Sequence, residues 1–491
     1  LPALEAYLRP YASLFWRPQH RPTWASLERY VTGLLTDLPR KNCDTIAAAV
    51  AGTTTERLQH LLTDADWDFL ALDALRVRRL VRVSPPGGIL VLDDTGLPKQ
   101  GKASAGVARQ YSGTLGKVAN CQVIVSAEYV EDVPATRTPL HWPVSAQLYL
   151  PERWAADAPR RQRAHVPAEL PFQTKPEIAL TLVERALAWG VPLGCVVADA
   201  GYGEAPALHS GLEARGIPYV CGVRRAFSLR LPDEVQAATT APQPRSRVKG
   251  RPPAPRPAPL WDAETLTACL PDDAWETVAW REGTKATLAK QFVAIRVHRA
   301  TGNPGSGRGV SHHRISTGPE GWLLAERPRP GDSGEHKWYF CWLPADTALE
   351  RLVALAHARW VIEQFYEDAK GECGFDDYQG RRWDGLHRHL ALVMLTYSFL
   401  ATQRLVRVRR HRTRLPGASH RAPPATAGLS PLGGRTLAVT FASPATRTAP
   451  HLPSHTPPRA PVALPGSPAL DPRHQPTPPV SHSTLSTSLT K

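Results

Sequence analysis

Two short, unbroken apolar runs, each closed by an acid, constrain this chain more than anything else in it. Ile89-Leu90-Val91-Leu92 runs into Asp93-Asp94-Thr95-Gly96, and Gly194-Cys195-Val196-Val197-Ala198 runs into Asp199-Ala200-Gly201-Tyr202-Gly203. Four or five apolar residues without polar alternation read as a strand buried on both faces. Between the two lie strand-like stretches at 119–130 and 140–150, a loop at 151–174 and a helical stretch at 175–189 that ends near Gly190. A helix over 204–215 and a strand over 218–223 follow. After three antiparallel strands and a helix, the next strand can pack in parallel beside the first. That pairing would set Asp94 and Asp199 side by side at one edge of the sheet.

The flanks differ in character. Residues 1–84 carry Leu, Trp and Tyr at helical spacing and read as a helical N-terminal DNA-binding region, with Arg40-Lys41-Asn42 as a small cationic spot at a helix start. The segment 85–236 together with 345–408 reads as one catalytic core. Between them, 237–344 combines a Pro/Arg/Ala-rich linker with short alternating runs such as Phe292-Val293-Ala294-Ile295, a β-rich insertion. From 409 to 491 Pro, Ser, Thr, Ala and Arg dominate, a composition too poor in apolar surface to offset its ordering entropy, so disorder is expected. Out-of-frame translation of this tail is the alternative.

The net charge of +15 invites a nucleic-acid reading, but residues 385–491 hold thirteen Lys or Arg against Asp471 alone, so the first 384 residues carry only +3 of it. A basic groove in the folded part must therefore be local. The seven cysteines show no CxxC and no Cys/His spacing that fits zinc, and free thiols in a reducing cytosol are expected. The longest apolar run, 390–400, is shorter than the ~20 residues that cross a bilayer, and the N-terminus has no basic segment leading into an apolar one. These features predict a soluble, cytoplasmic, nucleoid-associated protein without membrane contact. The chain begins at Leu1 and its one methionine is Met394, so the natural start is expected to be missing or non-standard.

A third acid comes from Arg359-Trp360-Val361-Ile362-Glu363-Gln364-Phe365-Tyr366-Glu367-Asp368-Ala369-Lys370, within a helix expected over 346–373. Arg359, Glu363, Glu367 and Lys370 share one stripe of it. By itself this is a solvated face with i,i+4 pairs worth about 0.3–0.5 kcal/mol each. With two strand-end aspartates upstream, Glu363 becomes the candidate third carboxylate and Glu367 its nearest rival. Clustered carboxylates repel unless cations are present, and hard oxygen ligands suit Mg²⁺, with Mn²⁺ as substitute. Two such ions roughly 3.5–4 Å apart can activate an attacking oxygen and stabilise a leaving one across a phosphodiester.

Together, Leu92-Asp93-Asp94-Thr95-Gly96, Ala198-Asp199-Ala200-Gly201-Tyr202-Gly203 and the 359–370 segment resemble a DDE transposase of bacterial insertion sequences. The resemblance spans about 29–405 and includes Gly106-Val107-Ala108-Arg109-Gln110-Tyr111, Leu148-Tyr149-Leu150-Pro151 and Gly380-Arg381-Arg382-Trp383. It implies an α/β fold, an RNase H-like mixed sheet flanked by helices. The intervals are 105 residues from Asp94 to Asp199 and 164 from Asp199 to Glu363, the second long as in the subgroup with a β-rich insertion. The family's Asp before Thr implies Asp94 as catalytic, with Asp199 and Glu363, and Asp93 as a supporting neighbour. The Tyr-Arg-Glu-Lys signature falls on Ala356, Arg359, Glu363 and Lys370, so the tyrosine that would touch a DNA phosphate is absent. Arg359 and Lys370, with Lys99, Lys102 and Arg109 of the glycine-rich loop, are the expected DNA-contacting cations.

In relatives that cleave through a DNA hairpin, an insertion-domain tryptophan stacks on an extruded base. Trp280, Trp322 and Trp338 are available, Trp322 is taken as the candidate, and all three read also as core. His387 and His389 read as ordinary hydrogen-bonded histidines. The resemblance implies an Mg²⁺-dependent enzyme, using two ions, that cleaves double-stranded DNA at its element's terminal inverted repeats and joins the ends to target DNA as a homodimer in a synaptic complex. An RNase H-like nuclease without strand joining, and a decayed copy that only binds DNA, are the alternatives.

Overall fold

The computed structural model describes residues 2–15, 21–113, 116–132, 139–240, 257–283, 286–301 and 315–413. Leu1–Gly417 forms one compact unit. The tail expected to be disordered lies outside the described residues from 414 onward.

The N-terminal region is helical as expected: α1 (Pro2–Leu8), α2 (Ala12–Phe15), α3 (Arg21–Leu35), α4 (Cys43–Ala49), α5 (Thr55–Thr63) and α6 (Phe69–Val81). Local chemistry sets the starts of several. Asn42 accepts from the Thr45 amide and Thr45 returns a contact to the Asn42 amide, a capping box at α4. Thr54 and Asp68 cap α5 and α6 with their side-chain oxygens, each cap stabilising its helix by ~1 kcal/mol.

The sheet then begins with β1 (Gly88–Pro98), β2 (Ala108–Ser112), β3 (Lys117–Val130) and β4 (His141–Tyr149). Helices α7 (Glu152–Ala155), α8 (Ala158–Arg163) and α9 (Lys175–Ala188) lead to β5 (Leu193–Ala198), α10 (Ala200–Gly203), α11 (Pro206–Glu213) and β6 (Tyr219–Val223). There follow β7 (Ser228–Arg230), α12 (Pro232–Thr240), β8 (Trp261–Asp262), α13 (Ala263–Ala268), β9 (Glu276–Glu282), β10 (Thr287–Thr301), β11 (Ser316–Arg327) and β12 (Lys337–Trp342). Three helices close the unit: α14 (Leu349–Ala356), α15 (Trp360–Cys373) and α16 (Trp383–Thr413).

The fold is mixed α/β, as the sequence implied. β1 pairs antiparallel with β3 and parallel with β5, and the order continues β2-β3-β1-β5-β6-β12-β11-β10-β7-β8, with β4 on β3 and β9 on β10. The insertion is therefore continuous with the core sheet, through the antiparallel pairing of β12 with β6. Residues Ile89 to Leu92 are buried at every position, which is why the run carries no polar alternation. The apolar run at 390–400 lies in α16, where Leu390 to Leu395 are all buried. A helix apolar on every side is a core helix, and α16 packs on α3, α5, α6, α15 and β4.

Three sequence expectations are corrected. The segment 108–112, read as part of a loop, is an edge strand on β3. It alternates half-buried and exposed residues up to a buried Ser112 and carries Arg109, so hydrophobicity gave no sign of it. The single helix expected over 346–373 is two, broken at His357-Ala358-Arg359. Lys41, read as a cationic surface spot, is buried, and its Nζ donates to the Leu34 carbonyl at 2.8 Å and the Glu372 carbonyl at 2.5 Å. It thus satisfies a carbonyl near the C-terminus of α15, where Gly374 turns the chain with φ 69°.

Candidate active site

The β1–β5 register runs Ile89 opposite Cys195 through Leu92 opposite Ala198. The next residues are Asp199, just beyond β5, and Asp93, which does not close β1 as the sequence suggested: β1 runs on to Pro98, with Asp93 opposite Ser126 and Asp94 opposite Val125 of β3. Because side chains alternate along a strand, Asp93 and Asp94 point to opposite faces of the sheet, and their partners differ accordingly.

Asp93 faces α15. Its Oδ2 lies 2.7 Å from Nη1 of Arg359, whose Nη2 lies 2.5 Å from Oε1 of Glu363. One guanidinium therefore holds the β1 acid and the helix acid together, a charge-assisted pair of contacts. Burial pushes the Asp93 carboxyl up to about 7, opposed by Arg359 and assisted by the charges of Asp199 and Asp94. Arg359 loses hydration but gains more from Asp93, Glu363 and Asp199, and its affinity for a proton rises.

Asp94 faces α9 and α10. Both of its oxygens accept from Lys175 Nζ, at 3.0 and 3.1 Å, and Oδ2 also accepts from the Tyr202 hydroxyl at 3.0 Å. Lys175 opens α9 behind the Thr174–Glu177 capping box, and Tyr202 sits in the turn that follows Asp199. Burial and the two aspartate charges keep the Tyr202 phenol protonated, as a donor to a carboxylate must be. Asp199 caps α10, with Oδ1 accepting from the Gly201 amide at 2.9 Å. Neither Lys175 nor Tyr202 stands out as a ligand holder in the sequence; their role comes from which helix end covers which face of β1.

A cleft of about 680 Å³ is lined by Asp199, Arg359, Trp360 and Glu363 together with Arg224, Arg225, His336, Lys337, Trp338 and Tyr339; Asp93 and Asp94 are not among its lining residues. Ala356 lies on its wall together with His357, so the position where a tyrosine was expected does face the site.

The other sequence candidates are distributed as follows. Lys370 Nζ donates to Thr95 Oγ1 at 2.7 Å, and burial lowers its basicity. Lys99 donates to the Tyr378 carbonyl at 2.6 Å, while Lys102 and Arg109 are exposed. Trp322 does not line the cleft; its indole donates to the Pro344 carbonyl at 3.0 Å and the Arg296 guanidinium lies 4.8 Å over its ring. Trp280 stacks on His357 at 4.0 Å, and Trp338 is the tryptophan of the three that lines the cleft. His387 and His389 are buried and hydrogen-bonded, the first to the Trp383 carbonyl and the Leu148 amide, the second to Tyr30 and the Gly374 carbonyl.

The donors are hard carboxylate oxygens, the chemistry that Mg²⁺ or Mn²⁺ takes. In this arrangement, however, no three acids among the described residues stand close enough to hold an ion, and Arg359 spans Asp93 and Glu363. A metal bound between those two carboxylates requires the guanidinium to withdraw.

Comparison with known proteins gives the family. A family model described as DDE superfamily endonuclease matches residues 12–287. That span includes Asp93, Asp94 and Asp199 and stops short of Glu363, whose placement rests on the structure. A probable transposase for insertion sequence element IS701 of Microchaete diplosiphon is 30% identical over 223 residues, 45% of this chain and 53% of the relative. The chain thus spans about half the length of the curated relative it matches. No helix among the described residues is long and apolar enough to cross a membrane. With the family model covering more than half of the sequence, the chain belongs to the DDE superfamily endonucleases.

Proposed function

We propose that this chain is an insertion-sequence transposase, which cleaves double-stranded DNA at the terminal repeats of its element and transfers the strand ends to target DNA. The observation that carries the reading is the parallel β1–β5 pairing, at whose end Asp93 and Asp199 follow, beside a cleft that Asp199 and Glu363 line. Asp94, Asp199 and Glu363 are the catalytic set, with Asp93 beside them. Mg²⁺, when bound by these carboxylates, would supply activation of the attacking oxygen and charge neutralisation at the leaving one. The chain's own groups do the rest. Lys175 and Tyr202 fix Asp94, the α10 turn fixes Asp199, and Arg359, once drawn off Asp93 and Glu363, offers a planar two-pronged donor to a phosphate. Lys370, Lys102, Arg109 and Lys99 are the further DNA contacts proposed, with Trp322 as the candidate base contact in the insertion. Joining two ends requires two active sites, so the working form is a homodimer in a synaptic complex.

The test is an end-cleavage and strand-transfer assay on DNA carrying the element's termini. Asp94→Ala, Asp199→Ala and Glu363→Ala are each expected to abolish Mg²⁺-dependent cleavage while end binding persists. Full cleavage by all three variants would refute the assignment. Cleavage without joined product by the unaltered protein would instead favour an RNase H-like nuclease, and binding without cleavage a decayed copy.

A further inference from the structure

We infer that the seam between β6 and β12 is a DNA-backbone track, in which Arg224, Arg225 and Lys337, with His336 beside them, hold the strand that the acids attack. The inference rests on the DNA-processing reading above and adds a surface outside the motifs that carry it.

The β6–β12 register pairs Val223 with Trp338 and Gly222 with Tyr339. The pairing ends there: Arg224 and Arg225 enter a turn in which the Phe227 amide donates to the Arg224 carbonyl at 2.9 Å, while His336 leads into β12 and Lys337 opens it. Three cations gathered on one cleft repel one another, a cost that an anion between them removes. Internal carboxylates do little to neutralise them. Arg224 lies 3.4 Å from Glu204 and Arg225 lies 3.8 Å from Glu264, with the two arginine side chains 71% and 72% exposed. Exposed pairs at such distances contribute little. Lys337 is exposed and forms no ion pair among the described residues.

The track is tied to the acids by backbone packing. A Cβ built on Gly222 would stand 3.0 Å from the Ala200 nitrogen and 3.3 Å from the Asp199 carbonyl carbon, and one on Gly203 would overlap the Gly222 oxygen. Only glycines allow β6 to lie this close to the Asp199 turn. Two residues along a strand from Gly222, about 7 Å, the cations begin. All four basic residues line the same cleft as Asp199, Arg359 and Glu363. A strand whose backbone lies along Arg224, Arg225 and Lys337 therefore passes a phosphodiester in front of the carboxylates. Contacts of this class go to phosphates and carry no base sequence, so a random sequence serves as probe.

The experiment measures binding of a fluorescent 30-base-pair duplex of random sequence, and of one of its strands alone, by the full chain at a series of salt concentrations. The variant carries Arg224→Ala, Arg225→Ala and Lys337→Ala; a control carries Arg215→Ala, which precedes β6 and pairs with Glu184 at the surface. Each lost phosphate contact lowers the log–log salt slope for duplex by about 0.9, so the triple variant is expected to lose roughly 2–3 from the slope and at least tenfold in affinity at low salt. The single strand should show a loss in the same direction, the control none, and the melting temperature should be unchanged in both. Affinity and slope equal to the unaltered protein's, with that protein binding DNA well, overturn the track and leave the DNA-processing reading standing. If the unaltered protein binds neither probe at any salt concentration, the function reading itself fails.

Discussion

Glu326 on β11 and Glu363 on α15 sit on either side of the three-residue break His357-Ala358-Arg359, and the fold treats them differently. Glu326 is fully buried and met by three groups: Lys290 Nζ, His357 Nε2 at 3.0 Å and the Tyr339 hydroxyl at 3.2 Å. Burial by itself would raise its carboxyl, but His357 and Lys290 outweigh it and hold the group down to about 2. The side chain of Glu363 is 57% exposed, lines the cleft and among the described residues pairs with Arg359, which it shares with Asp93. A buried carboxylate whose lone pairs are taken by protein donors is part of the framework. One that keeps open lone pairs toward a cleft can accept a ligand. His357 reaches from the break into the insertion and Arg359 reaches into the core, so one short segment ties the rigid cluster to the open one.

The largest contrast is expected from deleting each acid in turn. Glu326→Ala leaves Lys290 and His357 without their buried counter-charge and should destabilise the fold by about 3–5 kcal/mol. Glu363→Ala removes an exposed i,i+4 pair and should cost about 0–1 kcal/mol while cleavage is lost. Thermal melts beside cleavage assays measure both. Equal losses of melting temperature would erase the distinction and make Glu363 a framework residue.

Histidines buried without a saturating counter-charge give the next effect. Burial lowers His387 and His389 to about 4, below the ordinary value near 6.5 that the unfolded chain keeps. Because the folded value is the lower one, their contribution to stability is complete above about pH 6.5 and is lost as the pH falls toward 4, where the unfolded chain takes up protons first. The slope is at most about 1.4 kcal/mol per pH unit for each histidine. Melts at pH 7 and pH 5 should show the fall, and His387→Gln should make it shallower. A melting temperature independent of pH over that range would show that these rings stay accessible to protons.

The second-largest site effect concerns Asp94. Tyr202→Phe removes the hydroxyl that donates to it and leaves the rest of the ring in place. Removing such a supporting hydrogen bond from a candidate ligand should lower cleavage roughly 10–100-fold, with little change in DNA affinity. An unaltered rate would separate Asp94 from the chemistry and move attention to Asp93, which shares Arg359 with Glu363.

What could be read in the sequence follows from which signals are local. The two buried runs were legible because β1 and β5 carry unbroken apolar stretches, and their parallel pairing followed from element order, but the continuation of β1 past Asp93 and Asp94 to Pro98 was not, since the acids read as its end. The facing of Asp93 and Asp94 was not, since it depends on which helix covers which side of β1. The break at 357–359 was hidden because all three residues keep helix-compatible character, and Arg359 itself has helical angles, φ −60° and ψ −24°. The cations at 224, 225 and 337 were invisible as a group, being more than a hundred residues apart until β12 pairs with β6. Lys41 misled for the converse reason: a short basic stretch resembles surface unless its carbonyl partners, here on α3 and α15, are known.

The smallest effect fixes the scale for the rest. Arg9 and Glu5 form an i,i+4 pair at 3.1 Å with side chains 76% and 62% exposed, the same spacing as Arg359 and Glu363 in the reverse order of charge. Solvent screens such a pair, and Glu5→Ala should change stability by less than about 0.5 kcal/mol. Arg359→Gln breaks the same kind of pair but also strips Asp93, which is only 9% exposed, of its guanidinium. Any excess of its melting-temperature loss over that of Glu5→Ala therefore reports the Asp93 contact. Because burial already raises the Asp93 carboxyl, that excess should grow as the pH rises from 6 to 8, where the unpaired acid must ionise inside the fold. An excess that stays flat across this range would place Asp93 in water, and the open cluster would then be open on both faces of β1.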